Sequence, residues 1–136
     1  MDWAYYIEYL KTPAKKYSID KSNVFDPYSY TQEIDDLITN LYETKIIIQF
    51  EWPEWQEKAA EFIKNPDKIK VASLIEVKML LTTIVRKNRF CSGFVAYTID
   101  EGILLLLMQR LNELPADIGE GAEGTISQTK NMEVRK

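Results

Sequence analysis

The chain has 136 residues, 46% hydrophobic and 28% charged, with a net charge of -4 and a sequence pI near 5.0. This describes an ordinary globular domain able to fold without disulfides or metal, and it excludes collagenous, low-complexity and disulfide-rich chains. The acidic balance disfavours wholesale nucleic-acid binding, and the lack of histidine removes Ser-His and Cys-His nucleophile pairs, imidazole acid-base chemistry and imidazole metal ligands.

Trp3, Tyr6, Ile7 and Leu10 recur at i, i+3, i+4 and i+7, which predicts a short helix that Pro13 stops. The opening Met1-Asp2-Trp3-Ala4-Tyr5-Tyr6 lacks the basic start and apolar stretch of a secretory leader, so residence in the cytoplasm is the simplest expectation. Aromatic rings at Trp3, Tyr5, Tyr6, Tyr9 and Tyr17 exceed what one buried helix face needs and predict an exposed patch for a protein partner. Residues 14 to 30 read as an ordered meander pinned by Tyr17, Val24, Phe25 and Tyr28.

Ser29 and Gln32 fit a capping box at the head of the next helix, whose apolar stripe is Ile34, Leu37, Ile38, Leu41 and Tyr42. Asp35 and Asp36 in its early turns suit the positive end of the helix dipole better than a metal. Lys45 to Phe50 is short and β-branched, hence a strand or a buried extended connector; the 17 to 28 segment is its only obvious strand partner. Trp52-Pro53-Glu54-Trp55 opens a helix with Trp55, Ala59, Phe62 and Ile63 on one face, and Asn65-Pro66 ends it. The two tryptophans allow a stacking platform for a base or sugar, but core packing is the favoured reading.

A helix over about Lys70 to Lys87 follows, with Leu74, Val77, Leu80, Leu81, Ile84 and Val85 on its broad stripe and Glu76, Thr83 and Arg86 turned the other way. The last helix is predicted over about Phe94 to Leu114. Its run from Ile103 to Met108 is apolar all round, far short of the ~18 to 20 residues that span a bilayer, so it reads as the central helix of the domain and not as a membrane segment. The expected fold is mainly α. It is a single compact bundle-like domain of about five helices over residues 1–114, with room for one small β element near 17–28 and 45–50, followed by a flexible tail over 115–136.

The local cluster that most resembles a site is Arg86-Lys87-Asn88-Arg89-Phe90-Cys91-Ser92-Gly93, between the two most apolar helices. Gly93 suits a cap or turn conformation. The cations suit a helix C-terminus, and Arg86 could pair with Glu76, Asp100 or Glu101; this structural clamp is preferred. The sharper alternative is a fork of Arg86 and Arg89, with Lys87 beside it, for a carboxylate or phosphate. Cys91, the single cysteine, forms no internal disulfide, has no histidine base, and with Phe90 and Phe94 nearby reads as packed and inert.

Several blocks are similar to a bacterial and mobile-element family called domain of unknown function 6508. They are Leu80-Leu81-Thr82-Thr83-Ile84-Val85 running into Arg86 to Gly93, the pair Glu101-Gly102, Arg110-Leu111, and the upstream Phe50-Glu51-Trp52-Pro53-Glu54-Trp55. The resemblance spans roughly residues 28 to 114 and rests most on Leu-Leu-Thr and Arg-x-x-Arg-Phe-x-x-Gly. The chain departs from it at Lys87-Asn88, where an acidic residue often precedes the second arginine. The resemblance directs attention to Arg86, Arg89, Phe90, Gly93 and Gly102 and implies no reaction. Gly102, inside the predicted last helix, would mark a close helix crossing.

The residues therefore favour a small cytoplasmic binding or regulatory module acting through a protein partner, with no cofactor and no metal. An anion, nucleotide or nucleic-acid site on Arg86, Lys87 and Arg89, with Trp52, Trp55 or Phe90, is the first alternative. An enzyme built on Glu51, Glu54, Asp100 or Glu101 is the second and weakest, because their spacing matches no acid-base or metal set.

Overall fold

In the computed structural model, residues 2–115 are described, and the predicted tail from 116 onward lies outside them. Helix α1 (Ala4–Lys11) buries Tyr6 and Ile7, with Trp3 tucked in just ahead of it. The Trp3 backbone N–H donates to Asn112 Oδ1 at 3.0 Å. Lys16 is buried, and its ammonium donates to the Thr12 and Ala14 carbonyls. It thereby satisfies acceptors left open just beyond the helix end, where a cation also meets the dipole favourably.

The meander is a hairpin. Strands β1 (Tyr17–Ile19) and β2 (Tyr28–Tyr30) pair antiparallel, with Tyr17 opposite Tyr30 and Ile19 opposite Tyr28. Its turn is held by Asp20, which accepts from the Ser22 amide and hydroxyl. Helix α2 (Gln32–Glu43) follows, capped not by Ser29 but by Thr31, whose hydroxyl accepts from Ile34 N–H. Ser29 belongs to β2.

Residues 45–50 are not a strand. Lys45 adopts a left-handed conformation at φ 64°, and the Ile46 and Ile47 amides both return to the Leu41 carbonyl. The segment thus wraps the end of α2, burying Ile46 and Ile47, and Ile48 N–H donates to the buried Thr82 hydroxyl at 3.0 Å. Its β-branched residues serve burial rather than a ladder.

A 3-10 turn over Trp52–Trp55, with Pro53 at its head, leads into α3 (Gln56–Lys64). A second 3-10 segment, Pro66–Val71, replaces the first turn expected of the next helix, which is α4 (Leu74–Lys87). Ser73 and Glu76 form a full capping box there and fix the start four residues later than periodicity implies. Thr83 does not face outward: it is buried, and its hydroxyl donates to the Met79 carbonyl.

The predicted last helix is two, which raises the α-helix count among the described residues to six. Helix α5 (Phe94–Asp100) and helix α6 (Ile103–Glu113) meet at Gly102, whose φ is +76°. A Cβ placed on Gly102 would touch nothing within 4 Å, so this glycine serves a left-handed turn and not a close helix crossing. Helix α6 packs against α1, α4, α5 and the second 3-10 segment, the central position its all-round apolarity predicts. Leu107 and Met108 are fully buried among Leu80, Leu81, Ile84 and Ile69. Among the described residues no helix is long and apolar enough to cross a membrane.

Candidate interaction surface at the α4–α5 junction

Helix α4 ends at Lys87, and the chain doubles back through amides of Arg89, Phe90 and Cys91 that return to the Arg86 and Lys87 carbonyls. Gly93 then adopts φ +90°, and a Cβ there would overlap the Tyr28 ring. Both the backbone angle and the neighbour demand glycine.

Because Gly93 has no side chain to cap α5, the first-turn amides find acceptors elsewhere. Asn88 Oδ1 accepts from Val95 N–H at 2.9 Å. The Tyr30 hydroxyl accepts from Ala96 N–H at 3.1 Å and donates to Asn88 Oδ1 at 3.4 Å. Burial raises the Tyr30 phenol above its usual 10.0, with the Ala96 amide opposing the shift. The hairpin is fastened at two further points: the Tyr17 hydroxyl donates to Asp100 at 2.7 Å, and Ser92 pairs with Asp26 at 3.4 Å. The Asp100 hydrogen bond raises the Tyr17 phenol as well.

The three cations divide into two groups. The Arg86 guanidinium lies 6.0 Å from the Tyr42 ring centre, and Arg89 donates to the Tyr42 hydroxyl at 3.3 Å, so both arginines converge on α2. Lys87 turns instead to α3 and α5, donating to Gln56 Oε1 at 3.3 Å and lying 4.8 Å from the Phe94 ring centre. Two acids that sequence offers to Arg86 are engaged elsewhere: Glu76 accepts from the Ser73 amide, and Asp100 from Tyr17. Arg86 thus lies over an aromatic face of α2.

Trp52 and Phe90 come together, stacked at 6.1 Å with 29° between their planes; Phe90 is 78% exposed. Trp55 is separate, held edge-on by Phe50 and stacked on Phe62. Cys91 is exposed, contrary to the packed setting expected of it, because the turn points residues 89–92 outward while Gly93 alone is buried. Of the N-terminal rings, Trp3 and Tyr6 are core, Tyr9 bonds Thr31 through its hydroxyl, and Tyr5 is 65% exposed with its ring edge-on to Tyr6. The predicted aromatic patch shrinks there to Tyr5.

Beside the junction, α3, α4 and α5 enclose an open trough of about 430 Å³ lined by Ala59, Ala60, Ile63, Phe94 and Tyr97, with Lys64, Thr83, Lys87 and Gln56 completing it. Among the described residues no three Cys, Asp or Glu side chains gather where a metal ion could be held.

Asn88, Tyr28 and Tyr30 organise the junction, yet sequence reasoning passed over them as site residues. The signal for the tyrosines was Tyr28-Ser29-Tyr30, an alternation proper to a strand; for Asn88 no local pattern announces a partner seven residues on. Neither the curated proteins nor the solved structures contain a match to the chain. A family model described as a family of unknown function (DUF6508) matches residues 5–117. That span takes in α1 and the hairpin as well as the blocks quoted above, and the chain belongs to this family.

Proposed function

We propose that this domain is a small non-enzymatic binding module that works in the cytoplasm by gripping a protein partner through the Trp52–Phe90 stack. The observation that carries the reading is the stack itself: a ring 78% exposed, yet fixed by a second ring on a turn whose conformation is set by Gly93 and Asn88. Large, rigid aromatic rings supply contact area at little entropic cost and dominate many interfaces. Arg86 and Arg89 support the surface by tying the junction to α2.

Affinity capture from the source cells, run with the full chain and with Phe90→Ala and Trp52→Ala, tests this. A partner retained by the parent should be lost by both variants, corresponding to about 2 kcal/mol or more per anchor, while their melting temperatures stay close to the parent's. Retention of the same partner by Phe90→Ala would overturn the reading.

An anion site is the second reading, and the convergence of Arg86 and Arg89 on one tyrosine narrows it to those two cations. It predicts salt-sensitive binding of nucleotide or phosphate that Arg89→Ala removes from a folded protein. Loss of the fold in that variant would mark Arg89 as structural.

A further inference from the structure

The trough between α3 and α5 is distinct from the exposed ring stack, and its chemistry is of another kind. Its two walls are apolar: α3 contributes the small pair Ala59 and Ala60 with Ile63, and α5 contributes Phe94 and Tyr97. The alanines create the depth, since longer side chains at those positions would fill it. Cations stand at its ends. Lys87 is positioned beside Gln56 at the start of α3, and Lys64 closes α3, roughly 12 Å further along at the 1.5 Å rise per residue of an α-helix.

A volume of about 430 Å³ lies within the range of small-molecule sites. An apolar trough with an ammonium held at one end and a second at the other is complementary to an apolar chain that carries negative charge, and it penalises a cationic one. Lys87 is prepared for this role: its ammonium stands over the Phe94 ring and donates to a neutral amide oxygen, which an incoming carboxylate outcompetes as a charged acceptor.

We propose that this trough binds an unbranched, medium-length aliphatic carboxylate, its chain lying along Ala59, Ala60, Ile63 and Phe94 and its carboxylate on Lys87. Binding goes beyond the protein-partner reading and does not depend on it.

Titration calorimetry of the full chain, at two temperatures, with decanoate and decyltrimethylammonium below their micelle-forming concentrations and decanol below its solubility limit provides the test. Decanoate should bind saturably, about tenfold more tightly than decanol, and the cationic amphiphile more weakly than either. Octanoate should bind about fourfold more weakly than decanoate for each methylene removed. Lys87→Met should bring decanoate to the level of decanol, and Ala60→Trp, which fills the trough, should abolish both. Phe90→Ala should leave decanoate binding unchanged, separating this site from the protein contact. Equal binding of the three amphiphiles, unsaturable uptake, no heat at either temperature, indifference to Lys87→Met, or loss in Phe90→Ala would each overturn the assignment.

Discussion

At Gly93 two independent constraints coincide, whereas at Gly102 only one operates, and the difference is measurable. Gly93→Ala would both force an L-residue to φ +90° and press a methyl into Tyr28, for a loss of about 2 to 4 kcal/mol. Gly102→Asn has only the left-handed angle to meet, which asparagine tolerates, and should cost less than about 1 kcal/mol. Denaturant titration of the two variants should separate them clearly; equal losses would mean that the Tyr28 ring yields. Asn88 gives a second contrast. Asn88→Ala leaves the Val95 amide without its acceptor and should cost about 1 to 3 kcal/mol, whereas Asn88→Asp retains an oxygen there and should cost less in the same titration. The Lys87-Asn88 pair is therefore a working part of the turn, with Asn88 bonded to α5 and Lys87 to α3.

Elements with one strong period were readable from residues alone. The stripe of α2, the helical turn that starts at Pro53 ahead of α3 and the buried face of α4 all follow from spacing. Three features were not, for three physical reasons. The break between α5 and α6 hides inside an unbroken apolar composition, and only the sign of φ at Gly102 reveals it. The 45–50 segment has strand-forming residues whose amides are consumed by the end of α2. The hairpin is too short for alternation to stand out, and its register is fixed by contacts with α5 rather than by its own pattern. Those contacts make hairpin docking sensitive to alkali. Tyr17 and Tyr30 both ionise above 10.0 in the fold, so the stability they contribute is complete below 10.0 and is lost as pH rises through the raised folded values. The denaturation midpoint should fall as pH rises above 10.0, and the double variant Tyr17→Phe/Tyr30→Phe, less stable at pH 8, should show a shallower fall there. An identical slope in the double variant would assign the alkaline loss to other groups.

Across the described residues one core joins both halves of the sequence, from Trp3 and Ile34 to Leu107 and Leu111, and the surface around the α4–α5 junction carries an exposed aromatic stack and an apolar trough lined in part by Lys87. Sequence placed Arg86, Lys87, Arg89, Phe90 and Trp52 near one another by adjacency and family pattern, but their division of labour depends on Tyr42, Gln56 and Phe94, which no linear spacing connects. The contact between the Trp3 amide and Asn112 has an architectural consequence. The strand of chain entering the domain and the strand leaving it lie side by side, so the domain can be opened elsewhere and closed there. A circular permutant with a short linker joining residues 2 and 115, and new ends between Lys21 and Ser22 in the exposed hairpin turn, should fold to the same helical content by circular dichroism. By the same geometry the domain suits insertion as a cassette into a surface loop of another protein, entering and leaving its host at a single point.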